Sequence, residues 1–245
     1  MYFSEKKSEN SRTALSHLKS VKYWHRPVGG LIEVLQKVKE IGVTDPTQLS
    51  GSYMELYIGS LFGIGLEKSE NAKFWITKLK ENPPDLAFMT MVSDERKRVL
   101  FYSREVEITR FLNNGYKNLI ETILHKDNKN YPRDYVIVCF MEFNRVENLK
   151  NISDDLTKKL KNINNVFVVF HGMLLSSVEE SLTKDIIGSK ATIVQLVPEF
   201  NSQIIDIKEC LQKANLDNEK LVYTENAQVF YGLRDGETSY PKIIE

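Results

Sequence analysis

The chain of 245 residues has only two cysteines and four histidines. Two thiols, Cys139 and Cys210, cannot build a disulfide framework or a four-thiolate zinc site. His17, His25, His125 and His171 form no His-x-x-x-His, His-Glu-x-x-His or mixed Cys/His spacing, so no zinc centre is expected. No apolar run approaches the ~20 residues of a membrane span. The opening stretch, MYFSEKKSENSR, has no apolar core or cleavage site of a secretory signal. Together these absences make a reducing cytoplasm the expected location, with no membrane partner. Neither charge sign prevails, because 33 basic residues meet 33 acidic ones. Composition therefore does not point to nucleic acid, although a local basic face remains compatible with it. Glycine-rich phosphate loops, dinucleotide fingerprints and Gly-x-Ser-x-Gly elbows are missing too. Gly59-x-x-x-Gly63-x-Gly65 lacks both the preceding strand and the Lys-Ser/Thr that would make it a phosphate loop.

What is present is an ordinary globular balance, 42% apolar and 27% charged, which excludes a wholly disordered chain. At ~100–200 residues per domain, the length suits one large domain. The pattern divides it into an N-terminal helical segment (1–49), a central core (50–171) and a C-terminal α/β extension (172–245) packed on the same domain. Ser11 to Trp24 is loosely helical, and Arg26 to Gly30 reads as a break. Leu31, Val34, Leu35, Val38 and Ile41 recur at helical spacing before Gly42. Tyr53 to Phe62 reads as a helix ended by Gly63 and Gly65. Phe74 to Ile76 is a short strand.

Pro83-Pro84 forces an extended chain. Asp85 to Val92 then reads as a strand, Ser93 to Arg98 as a charged turn, and Val99 to Phe111 as the returning strand of a hairpin. Tyr116 to His125 is helical. Tyr135 to Phe140 and Val166 to Phe170 are unbroken apolar runs, suited to strands covered on both faces. Ser153 to Ile163 supplies a crossover helix with Ser153 as its N-cap. Further on, Leu174 to Leu182 is read as a helix, Ala191 to Val197 as a strand and Ile204 to Ala214 as a helix. Val222-Tyr223 and Gln228 to Leu233 are read as edge strands. The expected fold is α/β, a mixed central sheet flanked by helices.

The chemistry, if any, lies in a set of carboxylates. Side chains alternate along a strand, so Glu105, Glu107 and Thr109 share one face while Val106 and Ile108 point to the other. Two carboxylates on an interior strand are costly unless compensated, and a hard divalent cation compensates them well. Asp85 opens the neighbouring strand, and Glu55 on the preceding helix adds a fourth acid. A cluster of this kind suits phosphodiester hydrolysis, in which a metal polarises the phosphoryl oxygen and activates water. The bland reading is open beside it: Glu105 and Glu107 as the solvent face of an edge strand, and Glu55 as a solvated helix residue.

This order resembles the PD-(D/E)XK nuclease superfamily, with its restriction-endonuclease-like core: a helix with Glu, Pro-Asp opening a strand, a turn, a strand carrying Glu-x-Glu, then helix and strand. The resemblance covers about residues 50–171. It implies a metal-dependent endonuclease hydrolysing DNA, in restriction or phage defence, with RNA left open as a substrate. It implies Mg²⁺ or Mn²⁺ held by Asp85, Glu105 and Glu107, with Glu55 assisting. Assembly as a homodimer or as a subunit of a larger complex would follow. Glu107 stands where the family usually has lysine. It is read as a general base or a further metal ligand, or as a sign that the lysine has moved, with Lys78 and Lys80 as candidates. The alternative is an inactive relative that binds nucleic acid or serves as an assembly subunit. An unrelated α/β binding protein is the third reading.

Arg96-Lys97-Arg98, Arg104, Arg110, Lys158, Lys159 and Lys161 could touch phosphates, but such runs are usually solvated charge. Tyr23 to Arg26 is an aromatic and basic cluster that could stack on bases; partial burial is the expected reading.

Overall fold

The computed structural model describes residues 23–43, 46–49, 51–79, 84–93, 99–111, 118–129, 135–142, 148–171, 190–214, 220–223 and 230–232. The elements in chain order are β1 (Tyr23–His25), α1 (Pro27–Ile41), a 3-10 turn (Pro46–Gln48), α2 (Ser52–Glu70), β2 (Phe74–Lys78), β3 (Leu86–Ser93) and β4 (Val99–Phe111). Then come α3 (Leu119–Asp127), β5 (Val136–Met141), α4 (Leu149–Lys159), β6 (Asn165–His171), β7 (Lys190–Val197), β8 (Asn201–Asp206), α5 (Ile207–Lys213), β9 (Lys220–Tyr223) and β10 (Phe230–Gly232). The expected mixed α/β class is what the structure has.

All these strands join one sheet in the order β10-β9-β1-β2-β3-β4-β5-β6-β7-β8. β2, β3 and β4 form an antiparallel meander. β4, β5 and β6 run parallel, and β7 and β8 return antiparallel at one edge. Helices cover both faces. On one, α2 buries Leu56, Tyr57, Ile58, Leu61 and Phe62 against Phe88, Val106, Ile108, Val138, Phe140 and Val169. On the other, Leu119 and Ile123 of α3 and Leu156 of α4 pack on Ile137, Cys139 and Val168. Double coverage explains why the apolar runs of β5 and β6 are unbroken.

Several boundaries differ from the sequence reading. Helix α2 continues to Glu70, through the two glycines that seemed to stop it. Those glycines serve packing. A Cβ at Gly63 would stand 2.7 Å from Pro27 Cγ, and one at Gly65 would stand 2.9 Å from Ile193 Cδ1. Helix α1 begins at Pro27 and includes Gly29 and Gly30, because proline is well placed in a first helical turn. Tyr23 and Trp24, read as the end of a loose helix, belong with His25 to a strand paired with β2 and β9. Helix α4 begins at Leu149 with Asn148 as its N-cap. Ser153 sits inside it and donates its hydroxyl to the Leu196 carbonyl at 2.6 Å. Asn201 to Asp206 is strand β8, so the last described helix starts only at Ile207. The helix read at Leu174 to Leu182 lies outside the described residues, as do residues 1–22.

Candidate functional site

The β3–β4 ladder ends at Leu86 opposite Val106. Two steps on, Ile108 would face Pro84, which has no N–H to exchange. On the β2 side the Leu79 N–H still donates to the Asp85 carbonyl at 3.1 Å. On the β4 side the Asp85 side chain takes over the ladder: the Ile108 N–H donates to its Oδ2 at 2.7 Å. Proline thus ends the strand, and the carboxylate fills the gap while being drawn against β4.

Glu107 lies on that stretch of β4 and is 3% exposed. The alternation expected from sequence holds, since Val106 and Ile108 pack in the α2 core and Glu107 meets α3. The Lys126 ammonium, from the last turn of α3, donates to Glu107 Oε1 at 2.5 Å. Both side chains are nearly buried, at 16% exposed for Lys126 and 4% for Glu107. Removing two charges from water costs several kcal/mol per ion, so stability alone gives little reason for such a pair.

Helix α2 brings Glu55 into the same field. Burial raises its carboxyl above the usual value, the Lys78 ammonium opposes this, and Glu107 adds to it. Asp85 is pushed up to about 6, chiefly by burial and then by the charge of Glu107. The Ile108 N–H and Lys126 pull it down, and Glu55 pushes it further up. Asp85, Glu107 and Glu55 therefore share one negative potential with Lys126 set into it. Perturbation by burial plus specific charged neighbours marks a functional-site candidate.

Glu105 is placed differently. It stands opposite Ala87, ~6.6 Å back along the strand from Glu107. Among the described residues, no group of three or more His, Cys, Asp or Glu side chains lies close enough to hold a metal ion. An all-protein cage from Asp85, Glu105 and Glu107 is thus not what the geometry brings together. Asp85 and Glu107 are the two acids that adjoin. Mg²⁺ usually binds one or two carboxylates and keeps several waters. Hard carboxylate oxygens in a site whose negative charge already raises Asp85 fit that mode.

Lys126 was missed in the sequence, although a signal for it exists. Leu119 and Ile123 form the buried stripe of α3, and Lys126 and Asp127 continue it with charge. Of the two lysines proposed from sequence, Lys80 lies outside the described residues. Lys78 donates to Ser52 Oγ at 3.3 Å and lies 4.4 Å from the Tyr53 ring centroid. Burial lowers its pKa, while Glu33 and Glu55 oppose the shift.

Several of the other described candidates have partners or burial within the fold. Cys139 is buried in the core, its thiol pushed up to about 12 by burial. Trp24 is fully buried, and Arg26 clamps Glu67 and the Phe74 carbonyl. Arg110 pairs with Glu142. Arg96, Lys97 and Arg98 lie outside the described residues. His171 ends β6, its Nε2 2.9 Å from the Tyr57 hydroxyl. No described helix is long and apolar enough to cross a membrane. No family model, curated protein or solved structure matches the chain.

Proposed function

We propose that the protein is a metal-dependent endonuclease that hydrolyses DNA phosphodiester bonds, in the manner of the PD-(D/E)XK superfamily. The observation that carries this reading is the convergence of Asp85, Glu107 and Lys126 where β3 ends against β4. The surrounding order of helix, antiparallel three-stranded meander, crossover helix and parallel strand supports it.

In this reading Asp85 and Glu107 hold the divalent cation, with Glu105 further along the strand and Glu55 adding negative potential. The cation, Mg²⁺ or Mn²⁺, supplies Lewis acidity and a water of lowered pKa. Lys126 arrives from α3 and takes the part usually given to a lysine two residues after the second acid. Its ammonium presents donors beside Glu107 Oε1, so it orients the attacking water and offsets charge on the phosphoryl oxygens. Asp85, ionised above about pH 6, would offer its carboxylate to the cation there, and below that value a proton would compete for it.

A second reading has its own supporting observation. Glu107 is already paired with a buried lysine, which is the arrangement a non-cleaving nucleic-acid-binding relative would keep. Incubating plasmid with the protein and Mg²⁺ or Mn²⁺ tests the two. Cleavage by wild type, lost in Asp85→Ala, Glu107→Gln and Lys126→Ala, is the expected result. Equal cleavage by wild type and variants would expose a contaminant. A gel shift without cleavage would favour the second reading.

A further inference from the structure

Asp127 is the last residue of α3 and is 1% exposed. A carboxylate at a helix C-terminus meets the negative end of the helix dipole, and a buried one also loses its hydration. The compensation lies on a different element. Oδ1 accepts from the backbone N–H groups of Asn162 at 2.9 Å and Ile163 at 2.8 Å, and Oδ2 accepts from that of Lys161 at 3.0 Å. The Asp127 carbonyl accepts from Asn162 Nδ2 at 3.1 Å. Residues 161–163 form the turn between α4 and β6, so one side chain ties the end of α3 to the start of β6.

The residue before Asp127 is Lys126, whose ammonium lies against Glu107 on β4. Lysine carries about 2 kcal/mol of rotamer entropy, so a site that uses it gains from a backbone that cannot drift. The helix bearing Lys126 is short, at nine residues. Its start is fixed by a capping box, in which Asn118 Oδ1 accepts from the Glu121 N–H at 2.8 Å. Its end is fixed by Asp127.

We propose that Asp127 is a positioning residue of the candidate active site: its bonds to the 161–163 turn hold the last turn of α3 so that Lys126 meets Glu107. Its catalytic meaning rests on the nuclease reading, but the placement of Lys126 can be measured without it. Asp127 touches neither substrate nor cation and acts only through its neighbour.

The test uses the full chain with Asp127→Ala and Asp127→Asn. Heteronuclear NMR of the Lys126 side-chain ammonium reports the pair with Glu107, and duplex cleavage in Mg²⁺ reports kcat and KM. The expected result for Asp127→Ala is loss of the protected ammonium resonance in the folded protein. A kcat lower by about 10–100-fold should accompany it, with KM nearly unchanged. Asp127→Asn keeps an acceptor for Asn162 and Ile163 but turns a donor toward the Lys161 N–H, so its resonance and kcat should fall between those of wild type and Asp127→Ala. A resonance that persists in folded Asp127→Ala would overturn the proposal, as would its absence from wild type. Should Asp127→Ala not fold, Asp127→Glu decides, since the longer side chain shifts the turn: a moved Lys126 resonance supports the role and an unmoved one overturns it. Loss of the resonance in Asp127→Ala without any wild-type cleavage would sink the nuclease reading and leave the positioning role standing. Cleavage with an unmoved resonance would do the reverse.

Discussion

Lys126 Nζ lies 2.5 Å from Glu107 Oε1, joining a crossover helix to an interior strand through a nearly buried ion pair. Breaking such a pair from one side strands a charge away from water. Lys126→Met is expected to cost about 3–5 kcal/mol of stability. The double variant Glu107→Gln, Lys126→Met should recover most of that loss, because no buried charge is left. A double-mutant cycle by urea denaturation measures the coupling, and simple additivity would show that the two groups do not depend on each other.

Asp85 sets the pH dependence. Its folded value of about 6 stands above the ordinary 3.8. Between those values the folded state holds more protons than the unfolded one, so stability falls as pH rises from about 4 to about 6. Above that window the ionised Asp85 costs about 3 kcal/mol relative to an unshifted carboxyl, and below it the cost disappears. Asp85→Asn can still accept the Ile108 N–H without the charge. It should therefore raise stability at pH 8 by up to about 3 kcal/mol and change little at pH 4. Denaturation at the two pH values checks this, and an equal effect at both would contradict it.

A divalent cation relieves the same strain. Binding to the folded state alone stabilises by about 2.7 kcal/mol at a free concentration one hundred times Kd. Mg²⁺ or Mn²⁺ should raise the melting temperature of wild type and leave that of Asp85→Asn nearly unchanged. The effect should also grow weaker as pH drops through about 6, where Asp85 is protonated. Thermal unfolding at several Mg²⁺ concentrations is the measurement. An unmoved melting temperature in wild type would remove the cation from the mechanism.

Legibility in the sequence followed the range of the forces involved. The runs at Tyr135 to Phe140 and Val166 to Phe170 identified β5 and β6, because strands covered on both faces need apolar residues throughout. Pro84 and Asp85 marked the opening of β3, because proline constrains its neighbours locally. The glycines of α2 misled, since their reason is close approach to Pro27 and Ile193, far away in sequence. The acids themselves could be found, but which two adjoin depends on where the β3–β4 ladder ends. That ending places Asp85 against β4 beyond Val106 and leaves Glu105 opposite Ala87. Lys126 was harder to find, since its partner Glu107 lies 19 residues away in the chain on a different element, and only tertiary packing brings the two together.

Helix α2 and the mouth of β3 meet at Gly59. A Cβ there would overlap Leu86 Cδ1, and Leu86 is fully buried. Gly59→Ala gains helix propensity of roughly 1 kcal/mol. It also forces Leu86 aside, and overpacking of this kind costs about 1–3 kcal/mol. The net expectation is modest destabilisation with a larger loss of activity, because Leu86 adjoins Asp85 and forms the last rung before it. Adding Leu86→Val removes part of the clash. The double variant should regain stability and activity together relative to Gly59→Ala, as followed by thermal unfolding and plasmid cleavage. Recovery of stability without activity would mean that the placement of Asp85 does not depend on the packing of α2.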